Sequence, residues 1–128
     1  MLQKIENYHH AMAQLEEAVA VYSRDRGDSL YRDGLIQRFE FTVELAWKSL
    51  KEYLEDQGTV LSITSPRAVL KDAYAAGVIM DADVWDEIIR SRNVTSHVYD
   101  EKTAIEVADR VCNTYLPVLK KLDNFYRG

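Results

Sequence analysis

Phe39, Val43, Ala46, Leu50 and Leu54 recur at three- and four-residue intervals inside "LYRDGLIQRFEFTVELAWKSLKEYLEDQG". That interval is one turn of an α-helix, so all five side chains share a face that water would leave uncovered. The stretch therefore has to be a long amphipathic helix with a partner against its stripe. Glu44 and Lys48 add a favourable i,i+4 pair, and Gly58 supplies a residue free to end the helix in a left-handed conformation. Gly34 disfavours a helix interior by about 1 kcal/mol relative to Ala, which sets the expected start there or one turn earlier.

The same period recurs along most of the chain. Leu2, Ile5, Met12, Leu15, Val19 and Tyr22 mark a first helix over residues 2–23, closed by the polar break "RDRGDS". After a β-prone linker over residues 59–64, "SPRAVLKDAYAAG" reads as a short helix with Ser65 as N-cap, Pro66 at its first position and Gly77 as its stop. Asp81 or Asp83 caps a helix that carries Trp85, Ile88, Ile89 and Arg92 on one face. Asp100 caps the last helix, where Glu101 meets the positive end of the helix dipole. That helix buries Ala104, Val107, Ala108, Val111, Tyr115, Leu119 and Leu122, and Pro117 should kink or divide it. No segment shows the alternation of a strand in a sheet. Four long helices with short connections and one extra short helix predict an all-α, antiparallel four-helix up-and-down bundle, a single domain over residues 1–128.

Charge and composition limit what such a bundle can do. A net charge of −5 over 128 residues argues against coating nucleic acid, which needs a basic face, but leaves room for a local site that grips one or two phosphates. No apolar run approaches a membrane span and no leader pattern opens the chain, so a cytoplasmic location and no membrane partner are expected. The single cysteine, Cys112, sits in apolar surroundings and reads as a core residue. The adjacent His9 and His10 point about 100° apart on a helix and cannot chelate one ion together. No metal-ligand spacing and no cofactor motif is present.

Against this plain background residues 90–101, "RSRNVTSHVYDE", hold two arginines, one of three histidines, a tyrosine, an amide and two carboxylates. In one unbroken helix Arg92 and His97 would lie about 140° apart. Thr95, Ser96 and Asp100 are all capping types, which predicts a break between Arg92 and Asp100 and allows Arg92 and His97 to converge. A neutral histidine can take a proton from a ribose 2′-hydroxyl or give one to a leaving oxygen, while a guanidinium can bind two phosphate oxygens of the transition state. One histidine cannot easily serve as base and acid together, so a two-fold dimer that pairs two such sites is the natural solution. The plainer alternative is a capped turn in which His97 packs and Arg92 pairs with a carboxylate.

Arg92-Asn93-Val-Thr-Ser-His97-Val-Tyr99 resembles the Arg-x4-His-x-Tyr signature of HEPN domains, including the polar residue after the arginine. "RDGLIQRFEFTVELAWKSLKEYL", "RNVTSHVYDE" and "YLPVL" are similar, in that order, to the nucleotidyltransferase substrate-binding protein branch of those domains. The resemblance covers nearly the whole chain. It implies a helical bundle, usually a homodimer, that works with a separate minimal nucleotidyltransferase. It further implies an RNA-cleaving toxin with Arg92 and His97 as the catalytic pair, Asn93 in support and Tyr99 as the acceptor of AMP from the partner. The other reading attached to this branch is a nucleotide- or substrate-binding subunit without activity of its own, in which Arg92 and His97 hold a phosphate. A purely structural partner is the third.

The remaining polar candidates belong to the second helix. Glu40 or Glu44 is placed to cross the bundle and orient Arg92, since a partly buried guanidinium needs a carboxylate. Tyr31 and Arg38, seven residues apart, could line one cleft. A solvated face is the ordinary alternative for Arg38, Glu40 and Glu44. Trp47 and Trp85 are expected in the core or an interface, and His9 and His10 on the surface.

Overall fold

The structure is a computed structural model that describes residues 2–128, and it is helical throughout, with no strand among the described residues. Helix α1 (Gln3–Arg24) turns through residues 25–28 into α2 (Ser29–Asp56), and the two pack along their length. The short α3 (Pro66–Ala75) and α4 (Ala82–Thr95) lie on α2 and on each other. The chain returns through α5 (Glu101–Arg110), a π-helical turn (Val111–Tyr115) and α6 (Leu116–Arg127), which together make one rod against α1 and α2. This is the expected bundle with its additional short helix.

The stripes meet in one core. Tyr8, Met12, Leu15 and Tyr22 of α1 face Leu35, Phe39 and Leu50 of α2, with Ile88, Tyr115 and Leu119 closing the space. Each such side chain contributes about 1.5–3 kcal/mol when fully buried. Phe39 stacks on Tyr115 with ring centres 5.6 Å apart. The buried Tyr8 hydroxyl donates to the Leu119 carbonyl at 2.6 Å, which ties α1 to α6 with a satisfied polar group.

Local chemistry explains most of the boundaries. The Ser65 and Asp100 side chains accept from Ala68 N and Thr103 N, capping α3 and α5. Gly58 and Gly77 take φ of 90° and 76°, and the amides that follow them bond back to Leu54 and Ala73. Helix α2 begins at Ser29, about a turn before Gly34 as expected, because the Asp28 side chain accepts from Tyr31 N at 2.9 Å and starts it there. Residues 59–64 form no strand, having no neighbouring edge to pair with. Two expectations need correction. Asp81 holds the N-cap position of α4, but its carboxylate pairs with Lys121 at 3.1 Å rather than with a backbone amide. His9 is half-buried and meets Asp123 at 3.0 Å; that carboxylate is only 1% exposed and sits beside Leu122 on the inner face of α6.

Pro117 divides the last helix in a specific way. Lacking an N–H, it cannot bond the carbonyl four residues back, and its ring would press on that carbonyl. The chain widens by one residue per turn just before it, so that the Leu116 amide reaches Val111 O. The rod continues without a sharp break, and Tyr115 is turned into the core.

Candidate functional site

The polar chemistry collects where α4 ends. Arg92 stands in the last turn of α4, and its Nη2 donates to Glu44 Oε2 on α2 at 3.2 Å. Trp47 Nε1 donates to the same oxygen at 3.2 Å, and Lys48 lies 3.2 Å from the other. Burial alone would raise the Glu44 pKa, but the hydrogen bonds from Trp47 and Lys48 and the charges of Lys48 and Arg92 outweigh it and hold this carboxyl below its ordinary value. Arg92 Nε is buried without a partner. The slot that Arg92 and Asn93 share with Glu44, Trp47 and Pro66 measures about 20 Å³, room for one water and no ligand.

A second carboxylate grips the same turn. Thr95 is buried, and its hydroxyl donates to Glu40 Oε2 at 3.0 Å with a second contact to Arg92 O at 3.2 Å. Glu40 and Glu44, one turn apart on α2, thus hold Thr95 and Arg92, nearly one turn apart on α4. Ser96 Oγ covers the Asn93 carbonyl at 2.8 Å, answering one of the acceptors a helix end leaves open. The connection over residues 96–100 is therefore fixed at one end by α2 and at the other by the Asp100 cap. His97 and Val98 project from it into solvent, and no hydrogen bond joins His97 to Arg92 among the described residues. The chain breaks where expected, between the end of α4 and the Asp100 cap.

Tyr99 turns the other way. It packs against the core and lines an open polar cleft of about 420 Å³ with Ser29, Arg32 and Asp33 of α2 and Asp100 and Glu101 at the start of α5. Burial raises the Tyr99 pKa, the carboxylates of Asp33 and Glu40 raise it further, and the Arg32 charge partly offsets them. Its proton is firmly held in the resting protein.

Comparison with known proteins places this arrangement. The sequence pattern of the family described as "Nucleotidyltransferase substrate binding protein like" matches residues 3–127. The chain belongs to that family. It is 34% identical over 77 residues to the probable ribonuclease HepT of Haemophilus influenzae, a match covering 58% of this chain. The match spans about half of that relative's length, 53%. A crystal structure from Thermus thermophilus superposes with a TM-score of 0.81 at 29% identity, covering 94% of this chain and 99% of that one. A structure from Haemophilus influenzae, reported to reveal the fold of a substrate binding domain of a nucleotidyltransferase, gives 0.79 at 26% identity, covering 97% and 99%.

Within this nucleotidyltransferase substrate-binding bundle, the other candidates separate. Arg38 points to α1, donating to Gln14 O at 2.8 Å and Glu17 at 3.1 Å, and it lines a cleft with Tyr31 that excludes Arg92. Trp85 is core, while Trp47 is half-buried and bound to Glu44. Two residues escaped sequence reading. Arg32 lies at 5% exposure beside Tyr99, and Thr95 binds Glu40. The signal for Arg32 was its register: three, four and seven residues before Leu35, Ile36 and Phe39, it falls on the apolar stripe. Thr95 carried no signal beyond its capping type.

Proposed function

We propose that this protein is the HEPN-type partner of a minimal nucleotidyltransferase and the toxin half of such a pair, cleaving RNA without a metal through Arg92 and His97. Asn93 supports the pair, and Tyr99 accepts AMP as the switch. The observation that carries this reading is the different treatment of the two catalytic candidates. Arg92 is held by Glu44 at 3.2 Å at a helix end, while His97 stands free in solvent on a connection anchored at both ends. A fixed guanidinium can stabilise charge developing on a phosphate, and a solvated imidazole can exchange protons with a ribose hydroxyl or a leaving oxygen. Because one chain supplies a single such histidine, a two-fold homodimer would bring a second Arg92 and His97 to complete the set, with the exposed side of α4 as the joining face.

A second reading is favoured by charge. At −5 the chain lacks the basic groove expected of a nuclease with broad RNA substrates, which suits a subunit that binds a nucleotide or substrate for its partner. The deciding experiment is incubation of total RNA with purified protein in EDTA, comparing wild type with a folded His97→Ala variant. Cleavage by wild type alone, leaving 2′,3′-cyclic phosphate ends, supports the ribonuclease. Absence of cleavage by a dimeric protein that carries no AMP on Tyr99 supports the binding subunit.

A further inference from the structure

Arg32 is the charged residue that the fold treats least generously. Its side chain is enclosed by α2, α5 and α1, it is 5% exposed, and its Nε–H has no hydrogen-bond partner. Among the described residues its one ion-pair partner is Glu101, at 3.7 Å from Nη2, beyond hydrogen-bond reach and with a carboxylate lying mostly in solvent. The buried Tyr22 hydroxyl lies beside Arg32, close enough to feel its charge and to approach a hydrogen bond, but neither it nor Arg32 Nε has a partner in good hydrogen-bond geometry. A buried guanidinium with an unmet donor is unfavourable unless something completes it. The cleft it faces opens directly beside Tyr99, and the N-termini of α2 and α5 both border that cleft, adding the positive ends of two helix dipoles. Three exposed carboxylates, Asp33, Asp100 and Glu101, stand around it. They repel a doubly charged phosphate far more than a singly charged diester.

We propose that Arg32 is the phosphate-binding residue of a nucleotidyl acceptor pocket, its guanidinium holding the phosphodiester formed on Tyr99. This rests on Tyr99 being the acceptor. In the transfer, Tyr99 Oη bonds to the α-phosphorus of a nucleoside triphosphate brought by the nucleotidyltransferase. The α–β anhydride bond breaks and pyrophosphate leaves with its electron pair. The phenolic proton passes to Asp33, the cleft carboxylate that makes no hydrogen bond or ion pair among the described residues; Asp100 caps α5 and Glu101 faces Arg32. The product carries one negative charge and offers acceptor oxygens to the terminal nitrogens of Arg32 that line the cleft.

The test uses the full chain, modified with the cognate nucleotidyltransferase and ATP, then exposed to a phosphodiesterase. Loss of a charge-assisted hydrogen bond corresponds to about tenfold or more, so the adduct on Arg32→Lys should be removed at least about tenfold faster than on wild type. Equal removal overturns the proposal. A wild-type measurement guards against an unfolded variant: the terminal guanidinium N–H resonances of Arg32 should move downfield when Tyr99 is modified, and unmoved resonances overturn the proposal as well. For Asp33→Asn, the transfer rate should climb with pH toward tyrosine ionisation where wild type is flat, and identical profiles remove Asp33 from the step. If wild type gains no adduct, or gains it on another residue, the Tyr99 reading itself has failed. An adduct on Tyr99 that ignores Arg32 sinks only this proposal.

Discussion

Glu44 and Arg92 meet at 3.2 Å across α2 and α4 with 34% of each side chain still exposed, so the pair is held but not sealed. The geometry engages Arg92 Nη2 and buries Nε, so only the solvent-exposed part of the guanidinium can meet a ligand. At that exposure solvent screens the attraction, and Glu44→Gln should destabilise the fold by only about 1 kcal/mol or less. The melting temperature should then fall by no more than about 4–8 °C. If Arg92 serves RNA cleavage as proposed, that cleavage should fall further, by about ten- to a hundredfold, because a guanidinium displaced by an ångström no longer meets the transition state. A Glu44→Gln protein that cleaves as fast as wild type would remove Glu44 from any orienting role.

Acid should weaken the fold through Glu44 and Glu87. The Glu87 carboxyl is held below its ordinary pKa chiefly by the hydrogen bond from Tyr115, 2.6 Å away, and then by Arg110. For both groups the folded pKa lies below the unfolded one. Their contribution is therefore present above the unfolded glutamate value of about 4.3 and is lost as pH falls through the lower folded value. Urea midpoints measured from pH 6 downward should decline through that window, and the decline should be shallower in Glu87→Gln. Parallel curves for the variant and wild type would show that Glu87 titrates alike in both states.

The elements written in period and punctuation were legible. Ser65, Asp100, Gly58 and Gly77 marked their boundaries because each acts on its immediate neighbours. What escaped depends on contacts distant in sequence. Glu40 binding Thr95 and His9 binding Asp123 join residues 55 and 114 positions apart, and no local pattern encodes them. The π turn escaped because Pro117 announces a disturbance without specifying its form. In the site, the break between Arg92 and Asp100 could be read from capping residues. The opposite directions of His97 and Tyr99 could not, since packing against the start of α2 decides them.

Tyr115→Phe tests what the π turn accomplishes. The turn delivers the Tyr115 hydroxyl to Glu87 at 2.6 Å and Ser91 at 2.7 Å while its ring stays on Phe39. Removing the hydroxyl keeps the stack and leaves Ser91 and Glu87 short of a partner. The expected loss is about 1–2 kcal/mol, read as a lower urea midpoint with an unchanged denaturant slope. Because Tyr115 anchors α4 to the rod just before Arg92, RNA cleavage should fall only in step with stability. A larger fall in cleavage would place Tyr115 in the functional machinery.

Tyr99→Phe separates the modification from the fold. The Tyr99 hydroxyl makes no hydrogen bond among the described residues while its ring packs on the core, so the substitution should change stability by no more than about 0.5 kcal/mol. If Tyr99 accepts AMP, mass spectrometry after incubation with the cognate nucleotidyltransferase and ATP should find the adduct on wild type and none on the variant. An AMP group there would place a bulky anion two residues from His97, which should block an incoming RNA phosphate by repulsion and bulk. Modified wild type should therefore stop cleaving RNA, whereas Tyr99→Phe should go on cleaving in the presence of the partner and ATP. An adduct that persists on the variant would sink the assignment. Modified wild type that cleaves undiminished would leave Tyr99 an acceptor but not a switch.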